Sequence, residues 1–130
     1  LLDELSTSDV LPGVEETIAA LDARGILTAV ASASKNAPLI LRRIGLEGRF
    51  TAVVDGTMIS RSKPDPEVFD LAAKLLGLLP EECLVVEDAA SGVEAAKRSG
   101  AMAVAIGPDA KGAGAELEIE RITDILSLWK

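Results

Sequence analysis

Short apolar runs alternate with amphipathic stretches along the chain. From Val14 to Arg24, Val14, Ile18, Leu21 and Ala20 fall on one face, with Glu15, Glu16 and Asp22 opposite, which predicts a helix stopped by Gly25. Ile26 to Ala31 is an apolar, β-branched run broken only by Thr28, the pattern of a strand buried on both faces of a parallel sheet. After a small polar loop, Ser32 to Asn36, a helix is predicted over Pro38 to Ile44, ending at Gly45. A weak strand follows at Thr51 to Val54, then a turn at Asp55-Gly56. Ser62-Lys63-Pro64-Asp65-Pro66 reads as extended, because each proline disfavours helix in the residue before it, and Pro66 opens a helix from Glu67 to Leu76. Leu84 to Val86 is a second buried strand that runs into Glu87-Asp88, and Ser91 to Ser99 is a helix ending at Gly100. Met102 to Ile106 is a further strand, Gly107 to Gly114 a connection, and the C-terminal pattern predicts a short strand and a last helix over Asp124 to Trp129.

Helices alternating with short buried strands specify right-handed βαβ units and an α/β fold with a doubly wound parallel sheet. Ligands bind such sheets at the carboxyl ends of the strands. Three polar groups lie at or near those ends: Ser32 to Asn36, Lys63 on its proline-rich loop, and Glu87-Asp88.

The 130 residues, 48% hydrophobic and 26% charged, suit one globular domain, and a net charge of −8 argues against nucleic acid or an anionic membrane as partner. No apolar stretch nears the roughly 18 residues of a membrane span, and the first residues lack the basic start and apolar block of a signal peptide. The chain has no His and no Tyr, which removes Ser-His-Asp, Cys-His and zinc-His schemes from its own repertoire. The single cysteine, Cys83, cannot form an internal disulfide; beside its apolar run it reads as a small core residue and fits a reducing, cytoplasmic compartment.

Chemistry therefore falls to Asp, Glu, Lys, Ser and Thr. Glu87 and Asp88 are hard oxygen donors that can hold Mg²⁺ beside water and a phosphate; the plainer alternative is that Asp88 caps the next helix and Glu87 is solvated at the sheet rim. Ser32, Ser34 and the amides of Ala33, Lys35 and Asn36 can cradle a phosphate ahead of a helix, or simply cap that helix. Lys63 can neutralise a phosphoryl oxygen, although a lone lysine is more often a surface residue. Together, on one sheet edge, the three groups describe much of a Mg²⁺-dependent phosphoryl-transfer site. Neither a nucleotide P-loop nor a dinucleotide glycine fingerprint is present.

Ala31-Ser32-Ala33-Ser34-Lys35-Asn36, then Ser62-Lys63-Pro64-Asp65-Pro66, then Val86-Glu87-Asp88 with Ser91-Gly92 and Ala95-Ala96, resembles the second, third and fourth motifs of the haloacid dehalogenase superfamily. The nearest resemblance, over about Val10 to Pro108, is to the β-phosphoglucomutase family within it, whose second motif takes the Ser-Ala-Ser-Lys-Asn form. The resemblance implies a Rossmann-like core and Mg²⁺-dependent interconversion of β-D-glucose 1-phosphate and glucose 6-phosphate through a bisphosphate and an aspartyl phosphate. By matching position it implies that Ser32 and Lys63 hold the transferring phosphoryl group with help from the Ala33 amide. It further implies that Ser34, Lys35 and Asn36 bind the other phosphate, and that Glu87 and Asp88 ligate Mg²⁺.

The sequence departs from that family in one respect. The family's first motif, an Asp-x-Asp supplying nucleophile and general acid/base at the end of a central strand, is not among these residues, nor is the helical cap. Asp3, Asp9 and Asp55 do not follow a buried apolar strand in that pattern. The expectation is that residues 1–130 are part of a core domain and 1–12 a hinge from the cap. The sheet should then be split into two halves where the central strand belongs. The 130 residues alone should be inactive, needing an N-terminal segment from the same gene or a neighbouring chain. Two other readings remain beside the mutase: a sugar-phosphate phosphatase of the same superfamily, and a non-catalytic phosphate- or metal-binding module.

Overall fold

A short parallel strand closes its backbone hydrogen bonds only against neighbours, and its alternating side chains feed a core on each face of the sheet. The computed structural model describes residues 13–32, 34–43 and 45–128. Its elements, in chain order, are α1 (Val14–Ala23), β1 (Ala29–Ala31), α2 (Ala37–Arg43), β2 (Ala52–Val54), α3 (Glu67–Leu75), β3 (Leu84–Glu87), α4 (Ala90–Ser99), β4 (Met102–Ile106) and β5 (Leu117–Ile119). A 3-10 turn spans Pro80–Glu82, and a longer 3-10 helix, Ile122–Leu128, follows β5.

All strand pairs are parallel: β1 with β2, β3 with β4, and β4 with β5. They form two separate sheets, β1-β2 and β3-β4-β5, so that β1 and β3 belong to different sheets, as the sequence led us to expect. Both sheets nonetheless feed the same two cores. Val30 and Val53 from one and Val86, Ile106 and Ile119 from the other pack with Val14, Ile18 and Leu21 of α1 and with Ile122 and Ile125. On the opposite face, Val54 and Ala31 join Val85, Ala103 and Ala105 under Val68 and Phe69 of α3 and Val93 and Ala96 of α4. Shared cores of this kind make the two sheets halves of one layer between two layers of helix.

Burial marks the break in that layer. In β4, which has a strand on each side, Ala103 to Ile106 are all buried, whereas Leu84, Val85 and Val86 of β3 and Ala29 and Ala31 of β1 are only half-buried. The expectation that the β1 and β3 runs are buried on both faces is corrected accordingly: their residues are mostly half-buried, and among the described residues each strand pairs along one edge. An unsatisfied backbone group removed from water costs about 1–3 kcal/mol, and several such groups rival a typical net stability of about 5–15 kcal/mol. These 130 residues produced alone are therefore expected to melt broadly and to bind a hydrophobic dye. A sharp two-state transition with no dye binding would count against the open-edge account.

Other boundaries also moved. The run at Ile26 becomes a strand only from Ala29, because the Ile26 N–H turns back to the Leu21 carbonyl at 3.0 Å and the register with β2 begins at Ala29–Ala52. The segment at Ser62 to Pro66 is a turn and not extended: the Asp65 N–H bonds the Ser62 carbonyl at 3.0 Å around a cis Lys63-Pro64 peptide. The last helix is a 3-10 helix that starts at Ile122, two residues before Asp124. Cys83 is half-buried, not a core residue; its thiol leans on the Leu79 carbonyl, and burial, then Glu82 and Glu81, raise its pKa. The readings on residues 1–12, with Asp3 and Asp9, and on Ile44 and Trp129 lie outside the described residues.

Candidate active site

The carboxyl ends of β1 and β3 carry the polar residues that the sequence singled out. Ser32 follows β1 directly and is fully buried; its N–H bonds the Val54 carbonyl at 2.9 Å, extending the β1-β2 ladder by one residue. Its hydroxyl accepts the Ser34 N–H at 3.0 Å, and the Ser34 hydroxyl in turn accepts the Asn36 N–H at 3.1 Å. The two serines thus shape the loop that leads into α2 through i,i+2 turn bonds, and each hydroxyl keeps its proton for another acceptor. The Ser34 carbonyl accepts the Gly56 N–H at 2.9 Å, tying this loop to the turn after β2. Lys35 and Asn36 are exposed; Ala33 lies outside the described residues.

Lys63 is not the surface residue that a lone lysine suggests. Its side chain is 10% exposed and its Nζ lies 2.8 Å from Glu87 Oε2, with the Glu87 side chain 2% exposed. The ammonium also sits 5.3 Å from the centroid of the Phe69 ring, close enough for a cation–π contact. Glu87 is the last residue of β3, and α4 crosses it at Gly92: a Cβ at that position would overlap Glu87 Oε1, Cδ and Cγ. The rim-solvated reading of Glu87 is thereby corrected. So is the capping role for Asp88, because α4 is preceded by Ala89 and has no side-chain cap; Asp88 itself is exposed.

The loop that presents Lys63 is anchored at its base. Glu67, at the first turn of α3, accepts the N–H groups of Ser60 and Arg61, the latter at 2.9 Å, and the Ser60 hydroxyl at 3.1 Å. The Arg61 amide, then the Ser60 amide, hold the Glu67 carboxyl below its ordinary value of 4.5, against a smaller opposing effect of desolvation. Asp65 Oδ1 accepts the Glu67 N–H at 2.9 Å. Asp55, for its part, accepts the Thr57 N–H at 2.8 Å within its own turn.

Mg²⁺ is commonly held by one or two carboxylates together with phosphate and water. Asp88 fits that requirement as an exposed oxygen donor. Glu87 offers Oε2, which already carries Lys63, while its Oε1 packs on Gly92. Among the described residues, no group of three or more His, Cys, Asp or Glu is placed to hold a metal.

Ser32, Lys63 and Glu87 are legible in the sequence, whereas the Lys63–Glu87 contact and its supports Glu67, Phe69 and Gly92 are not. A glycine in the first turn of α4, five residues after the strand-end carboxylate, is the available signal for Gly92.

Residues 2–100 match the family described as haloacid dehalogenase-like hydrolase. The chain is 38% identical over 125 residues to the β-phosphoglucomutase of Bacillus subtilis, covering 96% of this chain and 55% of that one. It is 38% identical over 91 residues to the phosphorylated carbohydrates phosphatase of Thermotoga maritima, covering 68% and 42%. Its fold superposes on the crystal structure of a β-phosphoglucomutase from Clostridium difficile with a TM-score of 0.85 at 30% identity, over 94% of this chain and 55% of that one. The chain thus spans about half the length of the relatives it matches.

Proposed function

The chain belongs to the haloacid dehalogenase-like hydrolase family, and from that footing we propose that the protein containing it transfers phosphoryl groups on sugar phosphates, interconverting β-D-glucose 1-phosphate and glucose 6-phosphate. The observation that carries this reading is the nearly buried pair of Glu87, at the carboxyl end of β3, with Lys63, which reaches it from the loop before α3, together with the buried Ser32 directly after β1. A phosphoryl group in flight spreads negative charge over its equatorial oxygens, and catalysis is mostly positioning and charge stabilisation. Lys63, held by Glu87 and exchanging part of that contact for phosphate, supplies the positive charge in a water-poor place. The Ser32 hydroxyl and the Ala33 amide donate to the same group. Ser34, Lys35 and Asn36, in the loop before α2, take the sugar's other phosphate. Asp88, with Glu87, would hold Mg²⁺, which when bound would neutralise phosphate charge.

The nucleophile is an aspartate on a strand that pairs between β1 and β3, contributed by a segment outside these 130 residues; the half-buried state of both strands supports that placement. Cytoplasmic sugar metabolism is the setting that suits such a substrate.

A second reading has its own support in the Thermotoga maritima relative: water, and not a second sugar hydroxyl, takes the phosphoryl group. The Ser34-Lys35-Asn36 run, with side chains available for a distal phosphate, favours the mutase. Given β-glucose 1-phosphate, the 1,6-bisphosphate and Mg²⁺, the complete protein is expected to form glucose 6-phosphate well ahead of inorganic phosphate. Inorganic phosphate as the main product would establish the phosphatase, and neither product would leave a binding module.

A further inference from the structure

The Lys63 ammonium is nearly buried, yet the loop that delivers it is not: Ser60, Arg61, Ser62 and Pro64 are all exposed. Burial therefore does not fix the course of this loop, and its order has to come from hydrogen bonds. Those bonds converge on one side chain. Glu67 takes two successive backbone N–H groups, Ser60 and Arg61, and the Ser60 hydroxyl, while its own N–H is held by Asp65 Oδ1 and the Asp65 N–H by the Ser62 carbonyl. The chain from 60 to 67 is closed into a ring of hydrogen bonds with Lys63 at its tip, pointing across to Glu87 and Phe69.

We propose that Glu67 is a positioning residue for Lys63: its carboxylate, rooted on α3, clamps backbone 60–61 and so sets where the ammonium lies. The proposal rests on the reading above only for its catalytic consequence. Two consecutive N–H groups aimed at one carboxylate are charge-assisted bonds, stronger than neutral ones, and α3 is itself packed into the core through Val68, Phe69, Ala72 and Ala73. The clamp thus transfers the rigidity of a packed helix to an exposed loop. Phe69, two residues beyond Glu67 on the same helix, completes the arrangement from below, so that α3 controls both the base of the loop and the surface under its lysine.

The test uses the complete protein and two readouts. The first is the rate at which an amine-reactive reagent labels Lys63, read by mass spectrometry against Lys74 and Lys97 as internal references. The second is steady-state kinetics with β-glucose 1-phosphate. Glu67→Ala is expected to raise the relative labelling rate of Lys63 roughly tenfold, because charged hydrogen bonds of this kind hold the loop closed. It is also expected to lower kcat by about ten- to a hundredfold with KM little changed, since a misplacement near 1 Å costs about that much. Glu67→Gln, which keeps the shape and an acceptor oxygen, should restore most of both. If Glu67→Ala does not fold, Glu67→Asp, whose carboxylate falls one methylene short of the amides, takes its place with the same expectation. Lys63 labelling unchanged in a folded variant, with or without a lower melting temperature, would overturn the proposal. A protein inactive on sugar phosphates would defeat the functional reading but leave the labelling result to decide the clamp.

Discussion

Glu87→Ala is expected to destabilise the complete protein by about 3–5 kcal/mol, because it removes the carboxylate that lies 2.8 Å from the nearly buried Lys63 ammonium. The cause is the asymmetry of buried ion pairs. The intact pair contributes little net stability, since desolvation offsets attraction, but half a pair keeps the desolvation and loses the attraction. The double variant Glu87→Ala with Lys63→Met should therefore recover most of the loss, the methionine reaching the Phe69 ring over which the ammonium sits. Urea unfolding of the four proteins in the cycle gives both numbers. Equal losses for Glu87→Ala and the double variant would show that the charge was not the cause. The same geometry makes Gly92 intolerant: alanine there has to displace a buried, paired carboxylate, and overpacking of this kind costs about 1–3 kcal/mol.

Lys63→Ala in the complete protein is expected to lower kcat by about a hundred- to a thousandfold, the usual effect of removing one preorganised donor from a developing anion. On the proposed reading the loss should fall on kcat more than on KM, because an ammonium that bonds Glu87 would be drawn fully to the phosphoryl oxygens only as their charge grows. Substitution of a solvated lysine would instead change little, so the nearly buried pair is what makes the expected effect large. Kinetics of Lys63→Ala and Lys63→Arg with saturating Mg²⁺ check this point. A kcat within about threefold of the unaltered protein would remove Lys63 from the reaction, as the lost donor would have been worth well under 1.4 kcal/mol.

Much of the fold was legible in the sequence because local pattern decides it. The run Met102 to Ile106 has apolar residues throughout and a strand on each side, and it forms the strand that its pattern predicts. Gly25 and Gly100, both with positive φ, stop α1 and α4 where their side-chain patterns end. The errors arise where partners decide. Ile26 to Thr28 look like strand residues, but a strand needs a ladder, and the β2 register starts only at Ala29. Ser62 to Pro66 was read from proline sterics acting on each residue separately, whereas a turn between Ser62 and Asp65 sets the path.

In the site, residue type and position along the strand were legible, but the contacts were not. Lys63 and Glu87 are 24 residues apart and meet only because α3 and β3 bring a loop tip over a strand end. The sequence leaves a solvated Glu87 open because nothing local says that α4 will cross it at Gly92. Glu67 was hidden by its place at a helix start, where an acidic residue needs no explanation beyond the helix dipole.

Phosphoryl transfer through an enzyme-bound aspartyl phosphate is the central claim, and labelling by a radioactive sugar bisphosphate tests it most directly. The complete protein, quenched in acid after brief exposure to ³²P-labelled glucose 1,6-bisphosphate and Mg²⁺, should carry acid-stable, hydroxylamine-labile label on an aspartate outside these 130 residues. That label should be lost without Mg²⁺ and strongly reduced in Lys63→Ala. A protein that remains unlabelled under those conditions, or that is labelled equally with and without Lys63, would contradict the account.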